Sequence, residues 1–250
     1  LSKKVKIPES NELFLGLEIE VNHGCNMTCS YCPNSKTERK EQGHMSEEVF
    51  LALMSQLRDL HYKGRLCYHF YNEPLTSKNL EHFVRISKDY CPETKSEIYT
   101  NGTLLTKERF LSLEESGVDR FYITKHESTP FIAFDKTLTL LDENQKNKVR
   151  YVGHEDLILS NRGGELDVGP TPPLKLPCHI PRTSVVITLK GNVLTCYEDF
   201  SQKNEMGNIL DKHIGDIWTS SNYVQFREDL KKGKRELYEV CRKCNNQQII

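Results

Sequence analysis

Cys25, Cys29 and Cys32 stand within the eight residues CNMTCSYC, and three thiols on one short loop restrict the chemistry open to them. A disulfide framework needs an even number, a tetrahedral zinc site four ligands, and a thioredoxin-like motif two. Three thiolates can instead hold three irons of a [4Fe–4S] cluster and leave the fourth iron open to a small molecule. A second group, Cys178, Cys196, Cys241 and Cys244, ends in C-x2-C. Four thiolates suit a fully ligated [4Fe–4S] cluster or a structural zinc. Two cysteines stand alone. Cys67 lies in an apolar strand and is expected in the core, and Cys91, before Pro92, is expected to be inert.

The rest of the composition removes several classes. Lys and Arg number 34 against 35 Asp and Glu in 250 residues, so no overall field recruits nucleic acid or an anionic membrane. No apolar run approaches the roughly 20 residues that cross a bilayer, and LSKKVKIPES has no apolar secretory core. Nine cysteines in a reducing compartment point to metal rather than disulfides. A soluble cytoplasmic protein is expected.

Repeated strand–helix units must position these residues. LGLEIEVN alternates as a half-buried strand directly before the triple-cysteine loop. A helix capped by Ser46 runs from there to about His61, followed by the strand RLCYHFY, the helix LEHFVRISKDY, the strand SEIYTNG, a helix stopped by Gly117, and the strand DRFYITK. Such β/α repetition predicts a parallel sheet or partial barrel with its chemistry at the strands' C-terminal ends. CNMTCSYC, YNEP, YTNG and TKHE all fall there. Regularity fades after about residue 148, and a proline-rich stretch near 168 to 177 marks a boundary. Beyond it TSVVITLKGNVLTCYEDF predicts a β-hairpin turning at Gly191 and Asn192, and IGDIWTSSNYVQFREDLKKG a helix burying Ile214, Ile217, Trp218 and Phe226.

The spacing C-x3-C-x2-C, with Tyr31 before the last cysteine, resembles the radical SAM superfamily motif CxxxCxΦC, and YNEPL resembles its GEP segment. The resemblance implies that S-adenosylmethionine (SAM) chelates the open iron through its amino nitrogen and carboxylate. It also implies that one electron cleaves SAM to a 5′-deoxyadenosyl radical. It assigns Tyr31, Asn72, Glu73, Asn101 and Lys125 to SAM, with Asn72 where glycine is usual and Lys125 where a neutral amide is expected. Downstream of such a core the four later cysteines resemble the auxiliary-cluster module called twitch, too few for a full SPASM module.

Along almost its whole length the chain resembles the 2-deoxy-scyllo-inosamine dehydrogenase family of aminoglycoside biosynthesis, through EVNHGCNMTCSYCPNS, HFYNEPL, LILSNRGGELD, GNVLTCYEDFSQK and CRKCNN. That implies an α/β fold, a partial (β/α)6-type barrel over 1–168 followed by a small twitch domain over 169–250. It implies two [4Fe–4S] clusters, SAM, a flavodoxin or ferredoxin donor, and oxidation of a secondary alcohol on an aminocyclitol or amino sugar. Carried over by motif, Arg162 faces the reacting hydroxyl, Glu198 holds the substrate amine, and Tyr71, Tyr99 and Tyr197 form the wall, Tyr197 where Phe is expected. Two competitors stay open. A radical SAM epimerase of a sugar or peptide would need Cys67 or Cys91 as hydrogen-atom donor, and an iron–sulfur or zinc binding module would not be catalytic.

Overall fold

The computed structural model describes residues 13–126, 132–167 and 174–247. The expected division at 168/169 therefore lies outside the described residues, as does LSKKVKIPES. In chain order the elements are β1 (Gly16–Ile19), α1 (Glu47–Asp59), β2 (Arg65–Cys67), α2 (Leu80–Tyr90), β3 (Lys95–Thr100), α3 (Lys107–Ser116) and β4 (Arg120–Lys125). Then come α4 (Ala133–Thr139), α5 (Glu143–Lys146), β5 (Val149–Gly153), α6 (Ile180–Thr183), β6 (Ser184–Ile187), β7 (Asn192–Leu194) and β8 (Glu205–Asn208). The chain closes with α7 (Ile214–Trp218), α8 (Ser221–Lys231) and α9 (Glu239–Lys243). Among the described residues no helix is long and apolar enough to cross a membrane.

All eight strands join one sheet in the order β5-β4-β3-β2-β1-β6-β7-β8. The first six run parallel and the last two antiparallel. Helix starts follow the expected chemistry: Ser46 accepts from Val49 N at 3.3 Å to cap α1, and Thr106 accepts from Arg109 N to cap α3. Gly117 closes α3 at φ 111°, a left-handed angle that glycine adopts without steric cost.

Strand alternation separates two environments. Leu17, Ile19, Leu66, Ile98, Phe121 and Ile123 point outward and pack with Phe50, Leu53, Phe83 and Phe110 of the helices into the main core. The opposite side chains, Glu18, Arg65, Cys67, Tyr99 and Tyr122, line a cavity. A polar inner face is the mark of a ligand chamber rather than of a packed interior.

Three sequence expectations change. The fading regularity after residue 148 conceals β5, an edge strand that pairs with β4 through only five residues. The hairpin turning at Gly191 forms between β6 and β7 as expected but gains a further neighbour, because β6 hydrogen-bonds in parallel to β1 along Gly16–Ile19 and extends the same sheet. The single helix expected from Ile214 is broken between Trp218 and Ser221, where the Ser220 hydroxyl accepts from Tyr223 N and starts α8 afresh. Ile214, Ile217, Trp218 and Phe226 are buried as expected.

Candidate active site at the cysteine loop

The triple-cysteine loop leaves the C-terminal end of the β1 segment and is held from three sides. Asn101, at the end of β3, donates to Asn26 Oδ1 at 2.8 Å and approaches Cys25 Sγ at 3.9 Å. Ser35 donates to the carbonyls of Cys29 and Cys32 at 2.7 and 2.8 Å. Farther along, Arg39 pairs with buried Glu20 and lies over the rings of Phe70 and Phe200 at 5.1 and 4.8 Å. Burial pushes the Cys25 thiol up to about 11 and raises Cys32 as well. Thiolates here therefore need a cation beside them.

Beside this loop lies a cavity of about 560 Å³, walled by all three cysteines and by Tyr31, Asn72, Glu73 and Asn101. Glu73 is 2 % exposed, and its carboxylate ties two loops together. It accepts from Leu75 N at 3.0 Å, Thr100 Oγ1 at 2.7 Å and Asn101 N at 2.8 Å. Asn72 is absent from the residues with left-handed backbone, so the departure from glycine needs no unusual angle. Its side chain instead accepts from Phe70 N and donates to Asn22. Tyr31 meets His126 Nδ1 at 2.5 Å. Lys125 is not brought to this wall: its ammonium pairs with Asp135 at 3.0 Å, and Asp135 also takes the Tyr151 hydroxyl and the Ile132 amide.

The far wall carries Arg162, Tyr71, Tyr99 and Tyr197. Arg162 opens a short 3-10 turn at φ 49°, followed by Gly163 at 64° and Gly164 at 94°. A Cβ on Gly163 would meet Glu198 O and Val240 Cγ1 at 2.6 Å, so glycine alone permits this approach. Burial works against the Arg162 charge, but Tyr71, Glu198, Cys32 and Tyr197 act the other way and its pKa is raised. Its guanidinium stands 6.0 Å over the Tyr71 ring. The Tyr71 hydroxyl is buried without a hydrogen-bond partner among the described residues, a polar atom that a bound ligand would satisfy. Tyr99 stacks between His69 and Tyr122 at 4.3 and 4.4 Å.

Glu198 sits beside the Arg162 turn. It accepts from Ser160 at 2.7 and 2.9 Å and from Asn246 at 2.8 Å, and lies 3.8 Å from Arg162. It lines the neighbouring pocket rather than the cavity. It therefore stands beside Arg162, held by Ser160 and Asn246. Cys67, expected in the core, faces the cavity, whereas Cys91 packs in the main core. Spacing could not separate these two, but strand alternation could: Glu18 and Cys67 are paired neighbours on β1 and β2. The same signal would have found Glu18, Arg65, His69 and Tyr122, none of which stood out by residue type.

Cys178, Cys196, Cys241 and Cys244 line the second pocket together. Glu198 N and Asn246 N approach Cys196 and Cys244 sulfurs at 3.3 and 3.4 Å, and Asn204 approaches Cys241 at 3.9 Å. Arg235, 3 % exposed, donates to the carbonyls of Leu176, Pro177 and Asn246 beside them. Among the described residues no three Cys, His, Asp or Glu side chains close on a point where one metal ion could be held.

Comparison with known proteins agrees with this geometry. Residues 19–138 match the radical SAM superfamily, and residues 178–245 match an iron–sulfur cluster-binding domain. The S-adenosyl-L-methionine-dependent 2-deoxy-scyllo-inosamine dehydrogenase of Niallia circulans is 44% identical over 237 residues, 94% of each chain. The crystal structure of BtrN in complex with AdoMet and 2-DOIA superposes with a TM-score of 0.90 at 44% identity, covering 95% of each chain. BtrN in an open conformation gives 0.76 at 38% identity, over 94% of this chain and 93% of that one.

Proposed function

The chain belongs to the radical SAM superfamily with an auxiliary iron–sulfur domain, and from that premise we propose that it oxidises a secondary alcohol of an aminocyclitol to a ketone. The first substrate to try is 2-deoxy-scyllo-inosamine. The observation that carries this reading is the single cavity joining the triple-cysteine loop to the Arg162 and Tyr71 wall. Cys25, Cys29 and Cys32 would hold a [4Fe–4S] cluster, and Cys178, Cys196, Cys241 and Cys244 a second one. When bound, the clusters and SAM supply a 5′-deoxyadenosyl radical that removes a hydrogen atom, and an acceptor for the electron left behind. Tyr31, Asn72, Glu73 and Asn101 form the wall that would receive SAM.

The protein's own part is orientation. Arg162 remains a cation, so it orients the hydroxyl oxygen and stabilises negative charge there while another group takes the proton. Tyr71, Tyr99 and Tyr197 shape the wall and exclude water from a reactive radical. A flavodoxin or ferredoxin in a reducing cytoplasm is the proposed electron source.

One observation favours a second reading. Cys67 faces the cavity, where an epimerase would keep a hydrogen-atom donor. Anaerobically loaded protein, incubated with SAM and 2-deoxy-scyllo-inosamine in deuterated buffer, separates the two. Ketone and 5′-deoxyadenosine in equal amounts support oxidation. An isomer carrying deuterium at carbon, without ketone and lost in Cys67→Ala, would establish epimerisation instead.

A further inference from the structure

The oxidation needs an acceptor for the hydroxyl proton, and Arg162 cannot serve. We infer that Glu18 of β1 is that acceptor, an inference that rests on the alcohol-oxidation reading above. Glu18 lines the same cavity as Arg162, Tyr71 and Tyr197. Its Oε2 atom is buried without a hydrogen-bond partner among the described residues. A buried carboxylate oxygen left unsatisfied is costly unless a ligand completes it.

The other candidates are occupied or unsuited. Both oxygens of Glu73 accept from Leu75, Thr100 and Asn101, and Glu198 accepts from Ser160 and Asn246 and lines the second pocket instead of this cavity. Glu97 pairs with Arg65 and takes the Tyr99 hydroxyl at 3.2 Å, and it is absent from the cavity wall. Burial, then Arg162 and Arg65, lower His69 to about 4, which leaves it a weak base.

The setting of Glu18 suits proton transfer near neutrality. Burial raises its pKa to about 8, with Glu198 adding to the rise and Arg65 and Arg162 opposing it. Arg65 and Cys67 face it from β2, Arg162 from its turn, and Tyr197 and Glu198 from the segment after β7. From β6 its paired neighbour is Val186, which does not titrate. A base whose pKa lies near the working pH transfers protons most effectively. In the step itself the carbon has already lost its hydrogen atom to the 5′-deoxyadenosyl radical. The O–H bond then breaks and its proton passes to Glu18, the C–O bond becomes C=O, and the remaining electron leaves to the oxidised iron–sulfur acceptor that the activity already requires.

The test compares wild type, Glu18→Gln and Glu18→Asp as full chains loaded anaerobically. SAM and 2-deoxy-scyllo-inosamine are supplied, and ketone and 5′-deoxyadenosine are measured across neutral pH. Glu18→Gln should still form 5′-deoxyadenosine, with little change in KM for the alcohol, while ketone formation falls roughly 100-fold or more. Glu18→Asp should recover part of the loss. In wild type kcat/KM should rise with pH through about 8, a limb absent from the Gln variant. A second readout needs no activity: infrared difference spectra of cluster-free wild type minus Glu18→Gln should show one carboxylic acid band titrating in the same range, and this decides the matter if the Gln variant loads poorly. A Gln variant with an unchanged ratio of ketone to 5′-deoxyadenosine would overturn the assignment. So would a loss confined to KM, which would make Glu18 a holder of the substrate ammonium. Wild type that forms no ketone would sink the proposed activity itself, whereas an active wild type matched by the Gln variant would sink Glu18 alone.

Discussion

Arg162 holds a backbone angle, φ 49°, that only glycine adopts freely. Strain of this kind costs about 1 to 3 kcal/mol and persists where the side chain is needed. Arg162→Ala and Arg162→Gly separate the two terms. Both should lower ketone formation roughly 100-fold, the usual loss for one charge-stabilising donor. The Gly variant should be the more stable of the two by about 1 kcal/mol, because it alone relieves the left-handed angle; equal melting temperatures would refute the strain. Glu18 makes an opposite-signed contribution to pH dependence. The folded chain holds its proton up to about 8 against 4.5 unfolded, so the stability it adds is full below 4.5 and is lost as pH rises through 8. Thermal melts of the cluster-free protein should show that decline between about pH 5 and about pH 8, and Glu18→Gln should flatten it. The grouping of the cysteines was legible because their type and spacing have few other uses, and Arg162 drew attention only through the motif that carries it. Glu18 was not legible, since one Glu in LGLEIEVN reads as the wet side of a half-buried strand until the sheet is known to enclose a chamber.

At the level of elements, what sequence could resolve followed the strength of local signals. α1 and α3 came out because Ser46 caps the first and Gly117 stops the second, each satisfying specific backbone groups, whereas α2 was legible from its apolar spacing alone. The break between α7 and α8 was missed because apolar spacing runs through it, and only the Ser220 hydroxyl marks it. The partners of Lys125 and Glu198 could not be read from motifs, because Asp135 and Ser160 are brought to them only by the fold. The turn carrying Arg162 offers a test at this scale. Gly163→Ala places a methyl 2.6 Å from Glu198 O and Val240 Cγ1 at a left-handed angle. It should cost about 1 to 3 kcal/mol. It should also disturb the segment bearing Cys241 and Cys244, so that bound iron falls along with the melting temperature. Iron retained in full at a wild-type melting temperature would mean that this contact yields easily.

Across the whole molecule the two cysteine groups belong to one structure. The anaerobically loaded protein should bind about eight irons, as two four-iron clusters require. Replacing Cys25, Cys29 and Cys32 with Ala should abolish SAM cleavage and leave about half the iron. Zinc recovered with the second group would contradict the assignment. Glu41, shortly after the first group, reaches across to the β6–β7 turn, where it accepts from Thr188, Lys190 N and Asn192. The pairing of β1 with β6 has a further consequence. The first five strands come from the first 153 residues, yet the strand bearing Glu18 sits inside the sheet only because residues 184–187 cover its other side. A fragment ending near residue 167 would expose that side as an unpaired ribbon of amides and carbonyls, a template for another chain. During synthesis the β/α portion must therefore wait for the last third of the polypeptide before it is safe from self-association, and fragments expressed alone should precipitate as β-rich aggregates rather than fold as soluble half-proteins.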